Sequence, residues 1–264
     1  MEKLIIENYN KGMSAGEILK LTNYKSQTSI FNILKKHGIK RRTKAGVGDE
    51  FLNHDFFEKI DSEVKAYLLG YFYADGNVFP RKNAQTNIRI ELNKKDIKIL
   101  ELFKHNWNTK NAINKTRKEC YKISIHSNKM QKDLEKWNII PNKSYSKNGL
   151  IIPKGFENHF LRGVMDGDGW VYLRNKRPTI GFCGTKESMT IINDFLKEKL
   201  KIEAGKVYCY ENKVPFILFT SKEDVKKVKE FLYKDATYFL ERKKKVFDAN
   251  TEVAGTTVTV THTY

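Results

Sequence analysis

The chain has 264 residues, 40% hydrophobic and 12% aromatic, with only five prolines, a composition that supplies a sizeable core and excludes both wholesale disorder and a proline-rich linker protein. Lys and Arg number 49 against 31 Asp and Glu, a formal net charge of +18; such an excess favours a polyanionic partner, because each neutralised phosphate releases condensed counterions. No apolar run approaches the ~20 residues that cross a bilayer, and the early Glu of MEKLIIENYN argues against a secretory leader. Cys120, Cys183 and Cys209 fit neither a disulfide framework nor a zinc spacing, so a reducing compartment, the cytoplasm or an organelle, is expected. A Lys-rich composition inherited from an AT-rich genome would give the same charge, so a nucleic-acid reading needs a motif.

Residues 1–48 read as a small helical module. Ser14 is placed to cap a helix with Glu17 as the return partner of a capping box, and Ile18, Leu19 and Leu21 supply apolar positions. After a turn at Thr22–Lys25, Ser26 caps a second helix from Gln27 to His37, with Ile30, Phe31, Ile33 and Leu34 inward and Gly38 ending it. The pattern resembles the helix-turn-helix of resolvase and invertase DNA-binding domains. That resemblance implies that Ser26, Gln27, Thr28 and Asn32 face the major groove. Arg41, Arg42 and Lys44 then form an arm for a minor groove or for phosphates. The glycines near residues 43–49 mark a linker.

Residues 51–245 look duplicated. An apolar helix ends in Asp-Gly at Gly76, and another does so at Gly169. After the first, strands are predicted near 77–82 and 86–93, a helix at 94–106, strands near 111–116 and 119–126, and a helix at 128–138. After the second, the order repeats: strands at 170–175 and 178–184, a helix at 186–200, strands at 206–211 and 215–220, and a long helix from Lys222. Matching order implies two subdomains related by pseudo-twofold symmetry, which suits duplex DNA. The expected division is 1–48, 49–149, 150–250 and a β-prone tail, 251–264, to which no function is assigned.

The two helix ends read Leu68-Leu69-Gly70-Tyr71-Phe72-Tyr73-Ala74-Asp75-Gly76 and Leu161-Arg162-Gly163-Val164-Met165-Asp166-Gly167-Asp168-Gly169. Gly70 and Ala74 lie one turn apart, as do Gly163 and Gly167, so small residues share a face where two backbones can approach. Gly76 and Gly169 are expected as left-handed C-terminal caps. Asp75 and Asp168 are anomalous: a carboxylate at the negative end of a helix dipole is unfavourable by a few tenths to ~1 kcal/mol. If the helices pack side by side, like charges add to that. Divalent cations relieve both costs, and carboxylate and terminal carbonyl oxygens are the hard ligands Mg²⁺ prefers.

These paired segments resemble the signature helices of LAGLIDADG homing endonucleases of the monomeric, two-motif kind. The resemblance covers roughly residues 51–247. It implies an α+β fold of two αββαββα subdomains whose antiparallel sheets form a saddle over DNA, preceded here by the small all-α module. It further implies that Asp75 and Asp168 hold Mg²⁺ at the scissile phosphates, with the carbonyls of Ala74 and Gly167 completing the shell. Each half would cut one strand across the minor groove, leaving short 3′ overhangs. The family keeps polar groups near the attacking water, and the matching positions are Asn93, Thr185, Lys129 and Lys222. Tyr73 and Asp166 stand at the earlier acidic position, and Arg162 stands where a small or apolar residue is usual.

Alternation selects the sheet faces expected to meet DNA: Asn87, Arg89, Glu91, Lys122, Ser124 and His126 in the first half, and Arg174, Arg177, Thr179, Tyr208 and Tyr210 in the second. The histidines form no HxxxH or Cys/His cluster, which argues against a zinc nuclease. The sequence therefore reads as a site-specific, Mg²⁺-dependent endonuclease of a mobile intron or free-standing gene. A non-catalytic DNA-binding regulator and an RNA maturase on the same scaffold are the alternatives.

Overall fold

The computed structural model describes residues 1–10, 13–39, 49, 51–143, 148–174, 177–203 and 205–249. Arg41, Arg42, Lys44 and the tail from 251 lie outside the described residues. The chain divides into two compact units, Met1–Glu50 and Phe51–Tyr264.

The first unit holds α1 (Glu2–Asn10), α2 (Ala15–Lys20) and α3 (Gln27–Lys36). The expected capping box is present: Ser14 Oγ accepts from Glu17 N–H, and the Glu17 carboxylate accepts from Ser14 N–H at 2.8 Å. Ser26 Oγ likewise accepts from Ser29 N–H at the start of α3. Gly38 follows α3 with φ +70°, the left-handed conformation glycine adopts without strain. Ile5, Tyr9, Ala15, Ile18, Ile30, Ile33 and Leu34 close a core of their own. The sequence pattern singled out no helix at 2–10; α1 is held by Ile5 and Tyr9 in that core and by Glu2, which binds Lys36 at 3.1 Å. Leu21, read as an apolar position, is 54% exposed, because it is the residue at which α2 ends.

The second unit runs α4 (Glu63–Asp75), β1 (Gly76–Arg81), β2 (Ala84–Asn93), a 3-10 turn (Lys94–Asp96), α5 (Ile97–Asn106), β3 (Asn114–Arg117), β4 (Cys120–His126) and α6 (Asn128–Lys136). It then repeats: α7 (Glu157–Asp168), β5 (Gly169–Arg174), β6 (Arg177–Cys183), α8 (Lys186–Leu200), β7 (Lys206–Tyr208), β8 (Phe216–Phe219) and α9 (Lys222–Tyr233). The long helix expected from Lys222 is broken in two: α9 ends at Tyr233, and a separate helix, α10, spans Glu241–Ala249. Each half builds a four-stranded antiparallel sheet, ordered β1-β2-β4-β3 and β5-β6-β8-β7. The αββαββα order is thus present twice, in an α+β fold. Strands β7 and β8 are shorter than predicted, because the chain turns at Tyr210–Lys213, where Lys213 N–H donates to Tyr210 C=O.

Strand β2 shows how the layers form. Ile88, Ile90 and Leu92 alternate onto the helix-covered face and are buried with Ile123 and Ile125 of β4. The intervening Asn87, Arg89 and Glu91 point the other way, opposite His126, Ser124 and Lys122. The buried side chains of both halves form one continuous core, with α4 and α7 at its centre.

Candidate active site

The two motif helices touch through backbone. A Cβ built on Gly70 would stand 2.0 Å from Phe160 O, and one on Gly163 would stand 2.1 Å from Tyr67 O. Each of these oxygens lies three residues before the partner's glycine, so the contact is reciprocal, as a pseudo-twofold axis requires. Close approach also explains why mid-helix glycine, at ~0.8–1.0 kcal/mol less favourable than alanine, is present in both helices. Farther along, a Cβ on Gly167 would meet Ala74 Cβ at 2.3 Å and Asp75 Oδ2 at 3.4 Å. The four small residues therefore seat the Asp75 carboxylate against the end of the second motif, next to Asp168.

The expected left-handed caps are not there. Gly76 has φ −75° and Gly169 φ −93°, both extended, because each residue also opens a strand. Glycine is needed instead for room: a Cβ would come within 2.4 Å of Phe72 O at Gly76 and 2.3 Å of Met165 Sδ at Gly169.

Asp75 and Asp168 lie largely out of solvent, and no Lys, Arg or His among the described residues forms an ion pair with either. Burial, and next the like charge of Asp168, push the Asp75 carboxyl up from 3.8 to about 6. Burial raises the Asp168 carboxyl in the same direction. Two partly dehydrated carboxylates stand at the negative ends of two helices, opposed through space by Lys143 and Lys243. This all-oxygen donor set fits a hard divalent cation. Among the described residues no side chain donates to the carbonyls of Ala74 or Gly167. The Asp168 carbonyl accepts from Cys183 Sγ at 2.9 Å.

Two lysines that sequence reasoning missed complete the surroundings. Lys143 Nζ donates to Gly76 O. Its electrostatic partners are Asp168 and Asp75, and burial pulls its pKa down. Lys243 of α10 does the matching work in the second half, donating to Gly169 O, Met165 O and Asp166 O at 2.6–2.7 Å. Burial lowers it to about 8. Each lysine reaches its helix end from more than sixty residues away, with no local pattern to announce it.

The residues that depart from the motif are structural. Arg162 is fully buried and donates to Tyr238 O, Leu232 O and Glu63 Oε1, each at 2.7 Å. Asp166 is also fully buried, accepting from Tyr67 Oη at 2.9 Å and Leu240 N–H at 2.8 Å. Both tie the segment after α9 to the helix pair. Tyr73 hydrogen-bonds Ser188 of α8, which in turn bonds Thr185 Oγ1 at 2.8 Å.

The four expected water-orienting positions separate. Thr185 caps α8 within the Tyr73–Ser188 network, and Asp168 acts electrostatically on Tyr73. Asn93 is exposed and caps the 3-10 turn through Lys95 N–H. Lys222 is exposed at the start of α9 and forms no ion pair among the described residues. Lys129 is engaged elsewhere, bound by Asp133 at 2.7 Å and by Asp55 and Glu58 at 3.1 Å. Those three carboxylates cluster closely enough to suggest a metal, but the Lys129 ammonium already lies among them.

The uncovered face of the first sheet carries its predicted residues. Asn87 bonds His126 at 3.1 Å, Arg89 lies 4.8 Å over the Phe79 ring, and Glu91 accepts from Thr116 at 2.9 Å. The buried Arg89 Nε–H has no protein partner among the described residues. In the second sheet Arg174 pairs in register with Arg177, Tyr208 lies on the uncovered face, and Tyr210 follows it, 56% exposed. Thr179 differs from expectation: it is on that face opposite Tyr172 but only 1% exposed, so this position is covered rather than open to a partner. In the first unit Ser26, Gln27, Thr28 and Asn32 are all exposed on or beside α3.

No protein-family model matches the chain, and no curated protein does. Solved structures do. The LAGLIDADG homing endonuclease I-SmaMI, bound to cleaved DNA, superposes with a TM-score of 0.52 at 13% identity, covering 72% of this chain and 87% of that one. I-GzeII, in complex with its DNA target, gives 0.53 at 15%, covering 72% and 89%. I-LtrWI, bound to target DNA, gives 0.51 at 13%, covering 76% and 92%. With the duplicated αββαββα order and the reciprocal helix contact, these likenesses give the chain the two-subdomain fold of the LAGLIDADG homing endonucleases.

Proposed function

We propose that the chain is a monomeric, Mg²⁺-dependent, site-specific DNA endonuclease that cuts both strands of a long asymmetric duplex, as expected of a homing enzyme. One observation carries this reading: the reciprocal helix contact seats two partly dehydrated carboxylates, without an ion pair among the described residues, side by side and beside an uncovered polar sheet face. The solved structures with this fold that are described as bound to DNA support it.

In this reading Asp75 and Asp168 hold the cations, with the carbonyls of Ala74 and Gly167 as further oxygen donors. When bound, the metal supplies Lewis acidity and a water deprotonated near neutral pH. The chain's own groups do the rest. Asp75 and Asp168 hold one side of the reacting phosphate region, and the Lys143 ammonium beside them offsets negative charge developing on the phosphate. Thr185 and Asn93 are the polar groups nearest in role to orienting the water, and Lys222 is a phosphate contact. Lys129, already bound by three carboxylates, drops out of the chemistry. The module of residues 1–48 adds a second contact, with Gln27, Thr28 and Asn32 of α3 toward the bases and Ser26 at its cap.

The test is cutting of a randomised duplex library with Mg²⁺, followed by Asp75→Asn and Asp168→Asn on the recovered target. Both variants should bind it and fail to break both strands. Full double-strand cutting by both refutes the assigned roles. No cutting by the unaltered protein, with specific binding intact, favours the non-catalytic regulator.

A further inference from the structure

The two uncovered sheet faces differ chemically, and strand register allows a position-by-position comparison. Gly76 pairs with Ile90 and Gly169 with Phe182, so these pairs are equivalent starting points. One step outward, Asn77 opposite Arg89 in the first sheet corresponds to Trp170 opposite Gly181 in the second. Ser124, paired with Arg89, corresponds to Leu218, paired with Gly181. Lys122, paired with Glu91, corresponds to Phe216, paired with Cys183; Asn114 beside Lys122 corresponds to Tyr208 beside Phe216. The polar or charged Asn77, Ser124, Lys122 and Asn114 of one face are thus replaced on the other by Trp170, Leu218, Phe216 and Tyr208, while Arg89 and Glu91 give way to Gly181 and Cys183.

The apolar face is built rather than accidental. The Trp170 indole lies over Gly181, where a Cβ would stand 2.2 Å from its Cε2. Phe216 packs 5.7 Å from Trp170 and stacks 4.8 Å from Tyr208 at 16°. Lys206 Nζ lies 5.3 Å from the Tyr208 centroid and Lys213 Nζ 5.9 Å from that of Tyr210, which puts cations along one flank of the band. The band adjoins the candidate cleavage centre: Trp170 follows Asp168-Gly169, and Cys183, paired with Phe216, donates to the Asp168 carbonyl.

Beyond the Trp170 Nε1–H and the Tyr208 hydroxyl, the Trp170–Phe216–Tyr208 band with Leu218 offers a base edge only apolar surface, and the one apolar group that the major groove presents is the thymine C5 methyl. We infer that the second sheet reads the base pairs nearest the cleavage centre on its side through thymine methyl groups packed on the Trp170–Phe216–Tyr208 band, while the first sheet reads its side through hydrogen bonds from Arg89, Asn87 and Lys122. The flanking lysines supply the charge complementarity that seats a phosphate strand beside the band, and the occupant is duplex DNA. This inference rests on the endonuclease reading.

The test uses the full chain and the duplex recovered from the library. The half-site whose base preference relaxes in Arg89→Ala is assigned to the first sheet. Thymines are then replaced by uracils, which removes only the methyl groups. In the other half-site, close to the cut, each replacement should weaken binding about three- to fivefold, the worth of one buried methyl group. The same change in the first half-site should cost less than twofold, and Tyr208→Ser or Trp170→Ser should erase the difference. Uracil without effect in the second half-site, with cutting intact, overturns the inference and leaves the endonuclease reading standing. Preferential binding of single-stranded DNA or RNA by the band also overturns it. If no duplex is bound or cut at all, both readings fall.

Discussion

Asp75→Asn should make the metal-free protein more stable at alkaline pH. The Asp75 carboxyl titrates at about 6 in the folded chain against 3.8 ordinarily. The folded state therefore holds this proton more tightly than the unfolded state. The associated stability is fully present below pH ~4 and is lost as pH rises through about 6. A rise from 3.8 to about 6 at ~1.4 kcal/mol per tenfold corresponds to about 3 kcal/mol forfeited at pH 8. Asparagine keeps the size and removes the charge, together with its repulsion from Asp168. For a unit of this size, ~2–4 °C per kcal/mol converts that to a gain of roughly 6–12 °C in Tm. The assay is thermal unfolding with a chelator at pH 8 and at pH 4. The gain should appear at the first pH and vanish at the second, and added Mg²⁺ should raise the Tm of the unaltered protein more than that of the variant. A variant less stable than its parent at pH 8 with chelator, or equally stabilised at pH 4, would show that the folded chain does not hold the Asp75 proton more tightly than the unfolded chain does.

Gly163→Ala should cost about 3 kcal/mol or more, because its Cβ would stand 2.1 Å from Tyr67 O and 2.7 Å from Tyr71 N, main-chain atoms that move only if the helices part. Urea unfolding checks this against Gly16→Ala, whose Cβ meets the Gln27 side chain at 3.2 Å and Ser14 Oγ at 3.9 Å and which should be neutral or stabilising. Arg162→Met should lose about 3–5 kcal/mol by taking the guanidinium from the Leu232 and Tyr238 carbonyls and from the Glu63 carboxylate, which keeps the Thr237 and Tyr238 N–H donors but loses the Arg162 cation. In the double variant with Glu63→Gln the loss in urea unfolding should be clearly smaller than the sum of the two single losses, since the stranded charge is gone.

Much of this molecule is legible one segment at a time. Period-two alternation in NIRIELN identified β2 and its two faces, the small residues of the motifs identified the contact between α4 and α7, and Ser14 with Glu17 announced α2. These are local signals: a strand or helix repeats its facing every two or 3.6 residues, so the pattern alone says which side goes inward. Packing decided what the pattern could not carry. Gly76 and Gly169 turned out to make room for Phe72 and Met165 rather than to adopt positive φ. Lys129, plausible beside the acids in sequence, was claimed by Asp133, Asp55 and Glu58, whereas Lys143 and Lys243, in unremarkable basic stretches, came to the helix ends. Arg162, out of place in its motif, found its partners at Glu63, Leu232 and Tyr238. A side chain's face is a property of its neighbours along the chain; its burial and its partner depend on residues brought from far away, and only the folded arrangement supplies them.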